Sequence, residues 1–372
     1  MPFFPVFLHN YGCDSTQIAF LQSLQPILLC FCPAIIGHLV SSGFLIRDKV
    51  LLCCAWGSLI SLIPLYAEKS LNLLTICLLL HAPFRVLMGP MIDAACLDYL
   101  RRSGEEYGKL RLYGSLGFIG TSFLGGFLFS WGPVLPFLTA YVCLQVGQVF
   151  VTQNLVSNHD TSSTEENTQN STEELRLVLW IPVTLFLIFS VLHQVSQGTY
   201  YIFYSLHLNL NLGISMDWIG FFWIIGVLSE ILVMFFYQRI WGNISEEWVF
   251  VLSALMNAIR WWAMAHCSSI WMMIILQTLH AFSFGTFQIA AMRLLDRTFP
   301  NTSKSFGVGL FVSLSYGLGG VIGMNGSGWL RKSLEITDLF TYSSIIGLIA
   351  IVPVLAMLII NSKITPVTNR PT

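Results

Sequence analysis

Apolar runs of about twenty residues or more follow one another along nearly the whole chain, separated by short polar or Gly/Pro-rich turns. They lie at approximately 16–40, 50–67, 71–98, 109–131 and 133–153, and again at 178–208, 217–238, 247–266, 270–295, 305–330 and 338–361. At 1.5 Å of rise per residue, about 20 residues of helix cross a hydrocarbon layer ~30 Å thick, so each run predicts a transmembrane helix. A membrane β-barrel would instead show alternation in units of ~10 residues, and these runs do not alternate. The opening stretch Pro2–Leu8 is far too short to cross and reads as the last turns of a helix whose start is absent. Residues 154–177 are polar, acidic and rich in Ser, Thr and Asn, the composition of a flexible linker. The pattern predicts an all-α membrane protein of two six-helix bundles with the first helix truncated, about eleven full spans in all. Its expected divisions are an N-terminal bundle over 1–153, a cytoplasmic linker over 154–177, a C-terminal bundle over 178–362 and a cytoplasmic tail over 363–372.

Composition narrows the class. Of 372 residues 55% are hydrophobic and only 10% charged, more apolar surface than a water-soluble fold can hide. The net charge of −1 offers no basic stripe to neutralise phosphates, so no nucleic-acid partner is expected. Cysteines such as Cys30, Cys32, Cys53, Cys54 and Cys77 lie inside apolar runs and read as small buried hydrophobes, with no disulfide framework and no zinc spacing. No basic stretch precedes the apolar PFFPVFL, so no cleavable signal peptide is expected. Nucleophile elbow, P-loop and nucleotide-binding glycine fingerprint are all missing from the sequence, which predicts a non-enzyme without a cofactor and without ATP as its energy source. Placing the loop 41–49 inside puts eleven Lys and Arg on the cytoplasmic side against three outside. The central linker and the C-terminus are then cytoplasmic.

The two halves echo each other. Leu-His-Ala recurs at 80–82 and 279–281, and YGSLGFIG at 113–120 is matched by YGLGGVIG at 316–323, with offsets of 199 and 203 residues. Parallel repeats are a transporter architecture that places a substrate site between the halves near the bilayer midplane. Small residues in the second pair also allow close helix packing, which alone accounts for their recurrence.

The remaining four cations, Arg85, Arg111, Arg260 and Arg293, fall within or at the edges of apolar runs. Against them only Asp93 and Glu230 lie deep in such runs, so the set is net positive by two if all six are ionised. A charge at a helix centre costs roughly 2.5–3.5 kcal/mol on insertion scales unless it is paired or wet, so such groups are functional candidates. The plainer alternatives are that Arg85, Arg111 and Arg293 snorkel to the interface and that Asp93 sits near a helix end. Glu230, in WIIGVLSEILVMFF, has apolar neighbours on every side. Ionising it there is costly, and a carboxyl suited to take up and release a proton is what proton coupling needs; the alternative is an acid that stays neutral. His280 could serve the substrate or Glu230, or be a hydrogen-bonded core histidine, and His81 is read as structural.

These residues resemble the lactose-permease-like proton symporters of the major facilitator superfamily, especially their phenylpropionate-permease and nucleoside-symporter side. Asp93, eighteen residues before Arg111 and followed by RRSGEEYGKLRLYGSLGF, matches the acid and arginine that hold substrate in that family. Phe118 falls where the lactose permease stacks an indole on its sugar. Glu230 in GVLSE, Arg260 in NAIRWW and His280 in QTLH fall on the acid, arginine and histidine to which the resemblance assigns substrate binding and proton coupling. Tyr200 in TYYIFY matches a site-lining tyrosine, and Arg293 in AAMR a cationic position of the same helix as His280. Departures are equally specific. Ser283 stands in place of the lactose permease's proton-carrying glutamate and Gln277 in place of its nearby lysine, while Tyr201, Tyr204 and Tyr316 replace charges. Ser41 stands where the superfamily's conformational-switch motif after Gly37 has an aspartate.

The resemblance implies a major facilitator fold with substrate contacts at Asp93, Arg111, Phe118, Tyr200, Arg260 and His280, and proton coupling at Glu230, Asp93 and His280. Arg85 has no cationic match in those relatives and lies within about 80° of Asp93 on a helix; with Arg111 it is expected to favour a small anionic substrate. The expected function is proton-coupled symport of a small organic solute, such as an aromatic or other carboxylate, a nucleoside or a sugar. Its partners are then the lipid bilayer, the solute and protons, and the chain is expected as a monomer in the bacterial inner (cell) membrane. The different-class alternative is a degenerate, non-transporting sensor or scaffold on the same fold.

Overall fold

The computed structural model describes residues 2–103, 107–132, 134–157, 177–299 and 304–364; within these, the side chains at 34, 37, 41, 90, 93–103, 107–112, 157, 177–180, 304–305 and 362–364 are not described. Every regular element among the described residues is helical, and nine helices are long and apolar enough to cross a membrane. Most of the predicted runs return with nearly the same bounds, including Met216–Trp241, Glu246–His266 and Ile270–Thr298. The predicted run 16–40 instead forms two helices, Ser15–Leu29 and Cys32–Ser41, with the break at Cys30 and Phe31. Proline explains it: Pro33 has no N–H to donate back to Leu29, and its ring crowds the preceding turn. The Ser15–Leu29 helix has an Asp14 capping box, with the Asp14 carboxylate accepting from the Thr16 and Gln17 backbone N–H groups at 2.8 Å each. Most of the expected linker and tail, at 158–176 and 365–372, lies outside the described residues.

The chain divides into two compact units, one of residues 1–165 with 201–224 and the other of 166–200 with 225–372. In the first, Leu51, Cys54, Ala55, Leu59, Leu87, Met88, Met91 and Val149 form a buried core. His81 is enclosed beside it. Its Nδ1 lies 2.9 Å from the Ser58 carbonyl and its Nε2 2.8 Å from the Tyr141 hydroxyl, a saturated core histidine as the sequence reading held.

The second unit has a larger core in which Phe186, Phe189, Phe250, Phe287 and Phe311 stack and tilt against one another at centroid separations of 5.1–6.1 Å. Its run of polar residues from His193 to Tyr200 is poorly tolerated in lipid without partners, and several of its groups have them, while His193 Nδ1, Gln194 Oε1 and Gln197 Oε1 have none among the described residues. Gln197 donates to Asn257 at 3.1 Å, Asn257 to Ser196 at 2.5 Å, and Thr199 shares hydrogen bonds with Ser327 at 2.9 Å and Ser343 at 2.8 Å. Glycines bring the backbones this close. A Cβ at Gly198 would fall inside the backbone of Gly323, and one at Gly323 would lie 2.5 Å from the Val195 carbonyl oxygen. Since neither neighbour is a movable side chain, Gly198→Ala is expected to cost roughly 3 kcal/mol through forced helix separation. Thermal unfolding in detergent checks this; an unchanged midpoint would show that the two helices can part freely.

Candidate functional site

The second unit gathers Tyr200, Glu230, Arg260, Gln277 and His280 from four helical segments. Arg260 is fully buried near the middle of Glu246–His266 and carries the unit's most deeply enclosed charge. Its Nη2 donates to Gln277 Oε1 at 2.7 Å and its Nη1 to His280 Nδ1 at 3.1 Å. The guanidinium lies 4.4 Å from the ring centroid of Tyr200 and 4.4 Å from that of Trp261. Two ring faces and two charge-assisted hydrogen bonds, each about 2 kcal/mol, offset a desolvation penalty of several kcal/mol. Even so, among the described residues Nε has no partner and no carboxylate contacts this cation.

Because a guanidinium only donates, His280 Nδ1 must accept, which fixes the neutral ring as the Nε2–H tautomer. Nε2 then points at Glu230, whose Oε2 is 4.0 Å away. The glutamate side chain is 16% exposed, so it is shielded from bulk solvent without being sealed. His280 is stacked on Phe284 with rings 9° from parallel and centroids 5.2 Å apart, which leaves its ring little freedom to swing. Gln277 and His280 lie three residues apart and so share one helix face. Directly after His280 the backbone widens into a π-helical segment, Ala281–Gly285.

The other candidates fall elsewhere. Arg293 forms no part of this cluster: its Nε pairs with Glu246 at 3.5 Å and its Nη2 donates to the Gly242 carbonyl at 3.4 Å. Arg297 joins it, 3.0 Å from Glu246 and 3.6 Å from Glu247, and Asn361 donates to Glu247 at 2.9 Å. Glu246 and Glu247 are 5% and 4% exposed, two buried acids that sequence reasoning did not count because they begin a helix next to a polar turn. In the first unit, Phe118 is half-buried on Tyr107–Trp131. Arg85 is half-buried one turn after His81, with its guanidinium in hydrogen-bonding reach of Tyr141. Asp93 and Arg111 lie on described helices, but their side chains are outside those described, as are those of Gly37 and Ser41.

Comparison with known proteins decides the family. The sequence model of the MFS_1-like family matches residues 1–342. The chain belongs to that family. Among its relatives is a protein of Escherichia coli K12 described as a probable 3-phenylpropionic acid transporter, 26% identical over 214 residues that cover 55% of this chain and 54% of the relative. The chain thus spans about half the length of that relative in the match. The transporter YwbF of Bacillus subtilis 168 is 24% identical over 82% of this MFS_1-like chain and 75% of its own length. Among solved structures, the nucleoside transporter NupG superposes with a TM-score of 0.77 at 18% identity, covering 96% of this chain and 93% of that one. The fold is therefore the major facilitator fold, in a multi-pass membrane protein of a transporter family and not an enzyme family.

Proposed function

We propose that this protein is a secondary transporter that moves a small organic solute bearing an anionic group together with protons, as a monomer in the bacterial cell membrane. One observation carries the reading. Arg260 is a fully buried cation with two hydrogen-bonded neutral partners and, among the described residues, no carboxylate in contact with it, so a bound carboxylate would supply a counter-charge. Glu230, across His280 from that cation, is the group we assign to the proton. While the site is empty, an ionised Glu230 serves the cation through His280; when an anion arrives, the carboxylate is surplus and its protonation becomes favourable. Substrate and proton are thereby coupled through one charge balance.

In this reading Tyr200, Arg260 and His280 contact the solute and Glu230 and His280 handle the proton. For the first unit the assignment rests on the family resemblance alone, with Asp93, Arg111 and Phe118 as substrate contacts, Asp93 also in proton coupling, and Arg85 as an added anion-favouring cation. Uptake into proteoliposomes with and without an inward proton gradient tests it, with 3-phenylpropionate, uridine and maltose as probes. Gradient-driven accumulation of the carboxylate above the two neutral solutes is expected. Accumulation of none of them would remove the proposal, and a preference for a neutral solute would remove its anionic half.

A further inference from the structure

Behind the Arg260 cluster, two buried side chains converge on one backbone oxygen. The Ser283 carbonyl accepts from His193 Nε2 at 2.9 Å and from Ser253 Oγ at 2.8 Å, and both donors are fully buried. A carbonyl cannot donate, so the His193 proton sits on Nε2. Its Nδ1 has no hydrogen-bond partner among the described residues, and the ring is packed against Phe287 and Phe189 at centroid distances of 4.6 and 5.5 Å. This histidine therefore has one polar task, which is to hold Ser283.

Ser283 is the central residue of the π-helical segment Ala281–Gly285. Such a turn is a local irregularity within an α-helix and needs outside contacts to keep its register. Both ends of it face Glu230. His280, immediately before the segment, presents Nε2 at 4.0 Å from the Glu230 carboxylate. Gly285, its last residue, is so close that a Cβ built there would lie 3.2 Å from Glu230 Cγ. Ser253 belongs to the helix that also carries Arg260 two turns later, so one helix grips the π-segment and supplies the cation.

We propose that His193 and Ser253 are positioning residues: by holding the Ser283 carbonyl they set the distance between His280 and Glu230, and through it the proton affinity of Glu230. This rests on the assignment of Glu230 as the proton-carrying group. Among the described residues, Arg260, Gln277 and Tyr200 are the further polar groups in contact with His280 or with its partners, and the variants that follow leave all three unchanged.

The test is infrared titration of the Glu230 carboxyl band, assigned by its loss in Glu230→Gln, on the purified full chain in proteoliposomes, with thermal unfolding measured alongside. His193→Phe keeps the ring and removes the donor; it is expected to move the midpoint by about one pH unit, a tenfold change in proton affinity. Ser253→Ala should move it less and in the same direction, and His193→Gln, which keeps a donor at the Nε2 position, should restore it. An unmoved midpoint in a folded His193→Phe overturns the proposal, as does a His193→Gln variant displaced as far as the phenylalanine. Should His193→Phe fail to fold, Ser253→Ala decides alone, and a wild-type midpoint there overturns it. A titrating band that the variants move, in a protein that accumulates no solute on a proton gradient, would sink proton coupling and leave the clamp standing. A wild-type band that does not titrate overturns both.

Discussion

Glu230→Gln is expected to abolish accumulation of solute against its gradient while leaving exchange of solute across the membrane in place. The amide keeps the shape of the carboxyl and its reach toward His280 Nε2, 4.0 Å away in the wild type, but it neither binds nor releases a proton. Net uphill transport needs that proton to enter with the solute and leave after it. Exchange needs only the solute-bound form to cycle, and a permanently neutral side chain resembles the protonated carboxyl of that form. Counterflow and gradient-driven uptake, measured on the same proteoliposomes, separate the two. If the variant accumulates solute as the wild type does, the proton is carried elsewhere.

The second large effect is expected at Arg260. Removing the side chain as Arg260→Ala takes the arginine donor from Gln277 Oε1 and from His280 Nδ1 and empties the space beside the Tyr200 and Trp261 rings. It also removes the charge proposed to receive a carboxylate. Loss of a buried charged partner costs about 2–5 kcal/mol, so solute affinity should fall by roughly 30-fold or more. Arg260→Lys sharpens the reading. An ammonium keeps the charge, but it has no planar fork to serve two acceptors 2.7 and 3.1 Å away. The lysine variant should therefore recover only part of the affinity, about tenfold short of wild type. Equilibrium binding of 3-phenylpropionate, with thermal unfolding as a control on stability, reads both. Wild-type affinity in the lysine variant would show that charge alone suffices.

The architecture was legible because a bilayer imposes one period and one length on every spanning segment, and the apolar runs met both. Where the run 16–40 misled, the cause was local: hydropathy does not register that Pro33 denies one helical hydrogen bond. The site was legible in a different way. Glu230, Arg260 and His280 stood out as ionisable groups in apolar runs and Tyr200 through the family resemblance, and they do meet in one cluster, though spacing alone could not bring together residues from helices 20 to 80 positions apart. Gln277 was noticed only as a substitution, although its i, i+3 relation to His280 was a signal for a shared face. The ring of Trp261 proves to be one wall around Arg260, a role that a tryptophan in an apolar run does not announce. His193 and Ser253 carried no signal, since a single His or Ser in an apolar run looks the same whether its partner is a nearby turn or a carbonyl 90 or 30 residues away. Arg293 stood open between a functional candidate and a snorkelling cation; it pairs with Glu246, and the chain reversal that joins them is invisible to a count along one helix.

The polar segment from His193 to Tyr200 has a consequence for biogenesis. Among the described residues, the partners of its side chains at a distance in the chain, Asn257, Gln277, Ser283, Ser327 and Ser343, lie downstream. When this stretch leaves the ribosome none of them exists, and an unpaired amide or hydroxyl is poorly tolerated by acyl chains. The segment therefore gains its described distant partners only once translation has passed Ser343, so its final hydrogen bonding waits on helices made some 140 residues later.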